Sequence, residues 1–327
     1  MSGRLRPVAT PFVAATPVGT RIRTRLRVSG EDAAVLWAAG RHLGSLAGRD
    51  LRVRSQQGRL DAEGRAGSRR ERKQQLTAGS SSRWAGAITR TTGDQIRLAE
   101  RNLLAERRSL KGRVRRIEAQ LAVPTGGRKG RVRGYATQAE RHGKQRLQQL
   151  RFRLVRVEQQ LDAGLVSVTR GARRLARTRH NLRAAGLTQE RWWQRWDAAR
   201  LFLTADGEKD APLGNWTIRW HPGEQWLEIK LPGPLAHLAN RPHGRYRLAC
   251  PVGFSYRGEE AAAQAMSGAI RYDISYDPAK GRWYLDASWT TSPAPAPSLQ
   301  ELRRAPVLAV DLNDGHLAGW VITPDGN

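Results

Sequence analysis

Between Asp94 and Leu121 the apolar residues Ile96, Leu103, Leu110 and Ile117 stand seven apart, with Val114 and Leu121 in the neighbouring seam position. That spacing lays one apolar stripe along a long helix. A second run, Leu147, Leu150, Leu154, Val157 and Leu161, follows the segment VPTGGRKGRVRGYATQ. The proline and glycines of that segment end the first helix and predict a basic loop. Two short seams meet more readily within one chain than between chains, so an antiparallel helical hairpin is expected. Further upstream, Ser29 and Asp32 form a capping-box pattern ahead of an Ala, Leu and Trp rich helix over residues 31–51. Residues 52–82 lose the period and are rich in Gly, Ser, Gln and Arg, which predicts a basic loop or partly disordered arm.

Elsewhere the period is two. Thr20–Val28, TRIRTRLRV, predicts a half-buried strand with Arg21, Arg23, Arg25 and Arg27 on one face. Like charges so arranged repel unless a polyanion lies across them, although a solvated edge strand explains the face equally well. After Asp210, Asn215–Trp220, Trp226–Leu231, Arg245–Tyr256, Ile270–Tyr276 and Trp283–Trp289 read as strands of an antiparallel barrel or curled sheet. The first strand needs partners and is expected to join this later set, with the helical segment inserted between. SPAPAP at residues 292–297 predicts a stiff extended linker. Pro306–Ile322, PVLAVDLNDGHLAGWVI, then predicts two strands around the Asn313-Asp314-Gly315 turn. The first is apolar on both faces and should be buried on both sides, with Asp311 in it. A carboxylate in such a strand is costly unless paired, and a divalent metal is the usual partner at a functional site.

A chain of 327 residues has room for two or three domains. No apolar run approaches the roughly 18 residues of a membrane span, so no membrane partner is expected. The single cysteine, Cys250, allows no internal disulfide and no cysteine-based zinc site, which fits a reducing, cytoplasmic location. Charge changes the picture most. Residues 1–205 carry 45 Lys and Arg against 15 Asp and Glu, a net of +30, while residues 206–327 are at −2. Such a surface attracts polyanions through counterion release, so nucleic acid rather than a small-molecule substrate is the expected partner. Candidate contacts are Arg128, Lys129, Arg131 and Arg133 in the predicted loop, and Arg173, Arg174, Arg177 and Arg179 after Gly171. A glycine there lets backbone amides and guanidinium groups approach one phosphate. Trp192 and Trp196 share a helix face and are expected to pack as core rather than stack on bases.

The segment AVDLNDGHLAGWVITPDGN resembles the opening of the nuclease domain of TnpB-related proteins, insertion-sequence relatives of type V CRISPR effectors with a RuvC-like, ribonuclease H fold. The segment from Gly171 and the run Trp193-Gln-Arg-Trp196-Asp-Ala-Ala-Arg200 are similar to their GSR-x-L and W-x-x-W-x-x-AR stretches. The order of these features carries the resemblance, since no one motif is highly specific. It implies an α+β protein: a split antiparallel β-barrel (wedge) with an inserted helical lobe, then the first hairpin of a RuvC-like domain. The implied bounds are 1–30 and 206–291 for the wedge, 31–205 for the lobe, 292–305 for the linker and 306–327 for the incomplete nuclease domain. Guide RNA and target DNA are the implied partners. Asp311 would be the first catalytic aspartate and a Mg²⁺ ligand. The further carboxylates that a two-metal site needs, and the family's zinc element, are not in this sequence. The chain therefore reads as truncated and inactive as a nuclease by itself. Asp314, Asp325 and His316 read as polar turn residues. A non-catalytic RNA- or DNA-binding module or repressor, and a basic RNA-binding protein unrelated to transposition, stay open as alternatives.

Overall fold

Residues 13, 18–142, 146–171, 173–291, 295–313 and 316–325 are described by the computed structural model, with backbone only at His142, Leu312, Asn313 and His316. In chain order the elements are β1 (Gly19–Leu26), α1 (Gly30–Gln56), α2 (Ala62–Thr77), α3 (Ser82–Leu121), β2 (Arg128–Lys129), β3 (Val132–Arg133), α4 (Gln138–His142), α5 (Arg146–Ala163), α6 (Arg173–Thr178), α7 (Gln189–Arg200) and β4 (Thr204–Ala205). There follow β5 (Ile218–His221), β6 (Trp226–Lys230), β7 (Arg245–Arg247), α8 (Gly258–Ser267), β8 (Arg271–Asp277), β9 (Arg282–Thr290), α9 (Leu299–Leu302), β10 (Val307–Asn313) and β11 (His316–Ile322). The chain divides into a large unit, Ile22–Ala287, and a small one, Met1–Arg21 with Ser288–Asn327.

The capping box at α1 forms. Ser29 Oγ accepts from the Asp32 amide at 3.0 Å and Asp32 Oδ2 accepts from the Ser29 amide at 3.3 Å. Asp32 is buried and also accepts from the Tyr246 hydroxyl at 3.0 Å, which ties the start of α1 to β7. The helical hairpin forms too. Leu110 and Val114 of α3 pack on Leu150 and Val157 of α5, flanked by Leu103, Ile117, Leu147, Leu154 and Leu161.

Two helical expectations need correction. The helix α3 starts at Ser82 rather than Asp94, capped by Ser81. Its first turns bury Trp84, Ala85, Ala87 and Ile88, and small alanines at core positions hide the period there. Trp84 Nε1 donates to the Lys230 carbonyl at 2.9 Å and so joins α3 to β6. Residues 62–77, expected as a loop or disordered arm, are the helix α2, with Asp61 accepting from the Gly64 amide at 2.7 Å as its N-cap. Only Arg72 and Leu76 are buried along α2, so no apolar stripe could announce it. An ion pair does much of the holding: Arg72 Nη1 meets Asp50 Oδ1 of α1 at 2.6 Å, both side chains buried.

The strands form two open antiparallel sheets, β1-β9-β8-β4 and β5-β6-β7, so the first strand does pair with the later set. No closed barrel forms among the described residues. One reason is β7. Instead of running from Arg245 to Tyr256 it leaves the ladder after Arg247, and Pro251, without an N–H, cannot extend it. Buried Asn215 links the segments, its amide donating to the Ala205 and Ile270 carbonyls while its oxygen accepts from the Thr217 and Ile218 amides.

Described by itself, the C-terminal hairpin pairs β10 with β11, Val307 opposite Ile322 and Asn313 opposite His316. Asp314 and Gly315, expected to form its turn, lie outside the described residues, as does the His316 side chain. The expectation of burial on both faces is overturned: Leu308 (67%), Leu317 (70%) and Val321 (65%) are among its exposed apolar residues. A two-stranded ribbon has no third strand or covering layer to remove them from water. Within the expected linker, Ser298 and Glu301 cap the short helix α9, while residues 292–294 lie outside the described set.

Candidate nucleic-acid interface

The arginine face of β1 is exposed at Arg21, Arg23, Arg25 and Arg27. It is not uniformly available. Arg23 Nε and Nη2 donate to both Asp286 carboxylate oxygens of β9 at 2.8 and 2.9 Å, and its guanidinium lies 5.2 Å from the Tyr284 ring. The Asp286 hydrogen bonds raise the Arg23 pKa above its ordinary value. Part of the repulsion expected along this face is therefore answered inside the fold.

The predicted loop after α3 is instead a two-stranded ribbon. Antiparallel pairing sets Arg128 opposite Arg133 and Lys129 opposite Val132, leaving Gly130 (φ 59°) and Arg131 at the turn. Arg128, Lys129, Arg131 and Arg133 are all exposed, and none makes an ion pair among the described residues. Like charges placed directly across a ladder destabilise it. Elsewhere on the α3–α5 hairpin the cations are better matched: Arg151 pairs with Glu118 at 2.7 Å, Arg153 with Glu106 and Lys111 with Glu158 at 2.8 Å. The arginines on that hairpin are therefore partly structural, paired between the two helices.

The segment around α6 also departs from expectation. Gly171 (φ +89°) is buried, and a Cβ there would meet Arg200 Cγ at 2.7 Å and the Trp196 ring at 3.6 Å. The glycine serves a close approach to α7 rather than a phosphate. Arg170 donates to the Arg200 and Leu201 carbonyls at 3.1 and 2.9 Å, and burial, with the nearby Arg200, pushes its pKa down to about 10. Trp192 is buried and stacks on Trp196, ring centroids 5.2 Å apart, and Trp192 Nε1 donates to the Leu175 carbonyl at 2.9 Å. That core role matches the expectation. The neighbouring Trp193 is 42% exposed, with the Arg179 guanidinium 5.6 Å from its ring centroid. Arg173, Arg174, Arg177 and Arg179 are exposed.

Asp311 sits opposite Ala318 in β10 and is exposed. Among the described residues no group of three His, Cys, Asp or Glu side chains gathers to hold a metal ion. A two-metal clamp needs several carboxylates converging, so the described residues do not fit Mg²⁺ at Asp311. Asp325 is exposed and accepts from the Thr323 hydroxyl. No described helix is long and apolar enough to cross a membrane.

The candidate cations thus stand on three separate elements, β1, the β2–β3 ribbon and α6. Arginines that the sequence did not single out face a cavity beside α2, among them Arg54, Arg59, Arg65 and Arg69. The signal available was the cluster GRAGSRRERK itself, but its placement depended on recognising α2 as a helix. The chain matches no known protein family, no curated protein and no solved structure.

Proposed function

We propose that this protein binds nucleic acid through the cationic surface of residues 1–205, holding guide RNA and target DNA in the manner that its resemblance to TnpB-related proteins implies. The observation that carries the reading is the β2–β3 ribbon, where four exposed cations stand without acidic partners and Arg128 faces Arg133 across the ladder. A phosphate lying across that pair turns a repulsion into two charge-assisted hydrogen bonds. On α7, a separate element, exposed Trp193 with Arg179 beside it offers a stacking platform for an unpaired base. Replacing Arg128, Lys129, Arg131 and Arg133 together by Gln tests the reading. Affinity for a structured RNA at fixed salt should fall at least tenfold while the unfolding temperature holds or rises. Unchanged affinity removes the ribbon from the interface.

A second reading, a non-catalytic RNA- or DNA-binding module or repressor, is favoured by the exposure of Asp311 away from any described group of metal-holding side chains. Capture of DNA by the protein–RNA complex separates the two. Retention of complementary over unrelated DNA supports the guide-RNA reading, whereas equal retention of both supports the binding module.

A further inference from the structure

A cavity of about 960 Å³ lies between α1, α2, α3 and the end of α5, lined by eight arginines and three carboxylates. Its volume is at the upper end of the range for small-ligand sites, about 300–1,000 Å³. Three of the arginines are committed: Arg72 to Asp50, Arg90 to Asp206 and Arg97 to Asp94. Arg59, Arg69 and Arg107 have no ion-pair partner among the described residues. Arg54 is 7% exposed and makes a single hydrogen bond, to the Gly58 carbonyl at 3.1 Å. Burial, and repulsion from Arg72, push its pKa down, and the Arg90 Nε is buried with no hydrogen-bond partner.

A buried guanidinium beside others is costly without an anion, and planar guanidinium forks match phosphate oxygens. Uncharged ligands offer nothing to this excess: with Asp50 and Asp206 counted beside the three lining carboxylates, three positive charges are left to be met. The lining holds no aromatic side chain, so nothing there stacks on a base or a nucleoside ring. Recognition is of phosphate alone, and of several phosphates together.

We propose that this cavity is a phosphate-cluster site, which takes consecutive phosphates of a bound RNA strand where it bends into the α1–α2–α3 recess. The RNA source rests on the nucleic-acid reading above; the phosphate chemistry does not, since a free polyphosphate carries the same groups. The rim residues Arg59, Arg69 and Arg107 select the phosphates, and buried Arg54 forms the deeper wall.

The test compares the full chain with the variant Arg59→Gln/Arg69→Gln/Arg107→Gln, whose altered residues make no ion pair that folding needs; coincident thermal unfolding curves verify this. Calorimetric titration with inorganic tripolyphosphate should show binding by the parent chain and at least tenfold weaker binding by the variant. Structured RNA should displace tripolyphosphate, and the slope of log affinity for RNA against log salt should flatten by about two in the variant, at roughly 0.7 per lost single-strand phosphate contact. Loss of tripolyphosphate binding with RNA affinity and slope unchanged assigns the site to a free polyphosphate instead. Equal binding of tripolyphosphate by both proteins, or none by the parent, overturns the proposal. Should the parent bind RNA without salt dependence, the function proposed above fails, while the tripolyphosphate titration still decides the cavity.

Discussion

Replacing Asp50 by Asn removes one charge from a buried ion pair and changes almost nothing in shape. Asp50 and Arg72 have side chains 1% and 6% exposed, joined at 2.6 Å, so neither has water to fall back on. Breaking such a pair from one side costs about 3–5 kcal/mol, because the remaining charge stays buried without compensation. Here the penalty is compounded by Arg54, one turn along α1 and already disfavoured by Arg72. For a domain of this size each kcal/mol shifts the unfolding midpoint by about 2–4 °C, so Asp50→Asn should lower it by roughly 6–20 °C in circular dichroism melts. The reciprocal change, Arg72→Met, should cost a similar amount, since it leaves Asp50 buried with neither carboxylate oxygen partnered. Asp50→Leu combined with Arg72→Met should recover most of the loss. An Asp50→Asn loss below about 1 kcal/mol, the size of an exposed pair, refutes the assignment of this contact as the brace of α2.

Other outcomes follow from the same structure. A Cβ at Gly44 would lie 2.2 Å from the Arg200 backbone oxygen, whereas at Gly40 the nearest atom is the end of the Leu201 side chain at 2.9 Å. Gly44→Ala should therefore destabilise by about 1–3 kcal/mol and Gly40→Ala by distinctly less in urea unfolding, and equal effects would contradict the close crossing of α1 and the end of α7. The Tyr246 hydroxyl is pushed up to about 12 by burial and its hydrogen bond to Asp32. A raised folded-state pKa gives stability that is complete below the unfolded value near 10 and is lost as pH rises through 12. Tyr246→Phe should remove about 1.4 kcal/mol per pH unit from the alkaline decline across that window, leaving the share of buried Tyr272, whose pKa burial also raises. An unchanged decline would show that Tyr246 titrates as in the unfolded chain.

The parts of this fold that could be read in the sequence are those stabilised by local or strictly periodic features. Ser29 and Asp32 satisfy each other within four residues, and the α3–α5 seam repeats every seven, so both were legible. The helix α2 was not, because its support is an N-cap at Asp61 and a tertiary pair between Arg72 and Asp50, partners 22 residues apart. Gly171 stands out in the sequence, but its purpose does not: its left-handed backbone and missing Cβ admit Arg200 and Trp196, contacts that only α7 reveals. The near-continuous apolar run of β10 suggests burial on both faces, yet a pattern states what a strand can bury, not whether another layer covers it. Of the candidate cations, the exposed ribbon was found by composition, while the cavity arginines required the helical register of α2 to be brought together.

Binding of a polyanion by residues 1–205 is the central claim, and affinity for structured RNA measured from 50 to 200 mM salt tests it most directly. Six or more phosphate contacts give a log–log slope of about −4 or steeper and a loss of about 250-fold or more over that interval. A slope near zero, with affinity unchanged across the range, would contradict it.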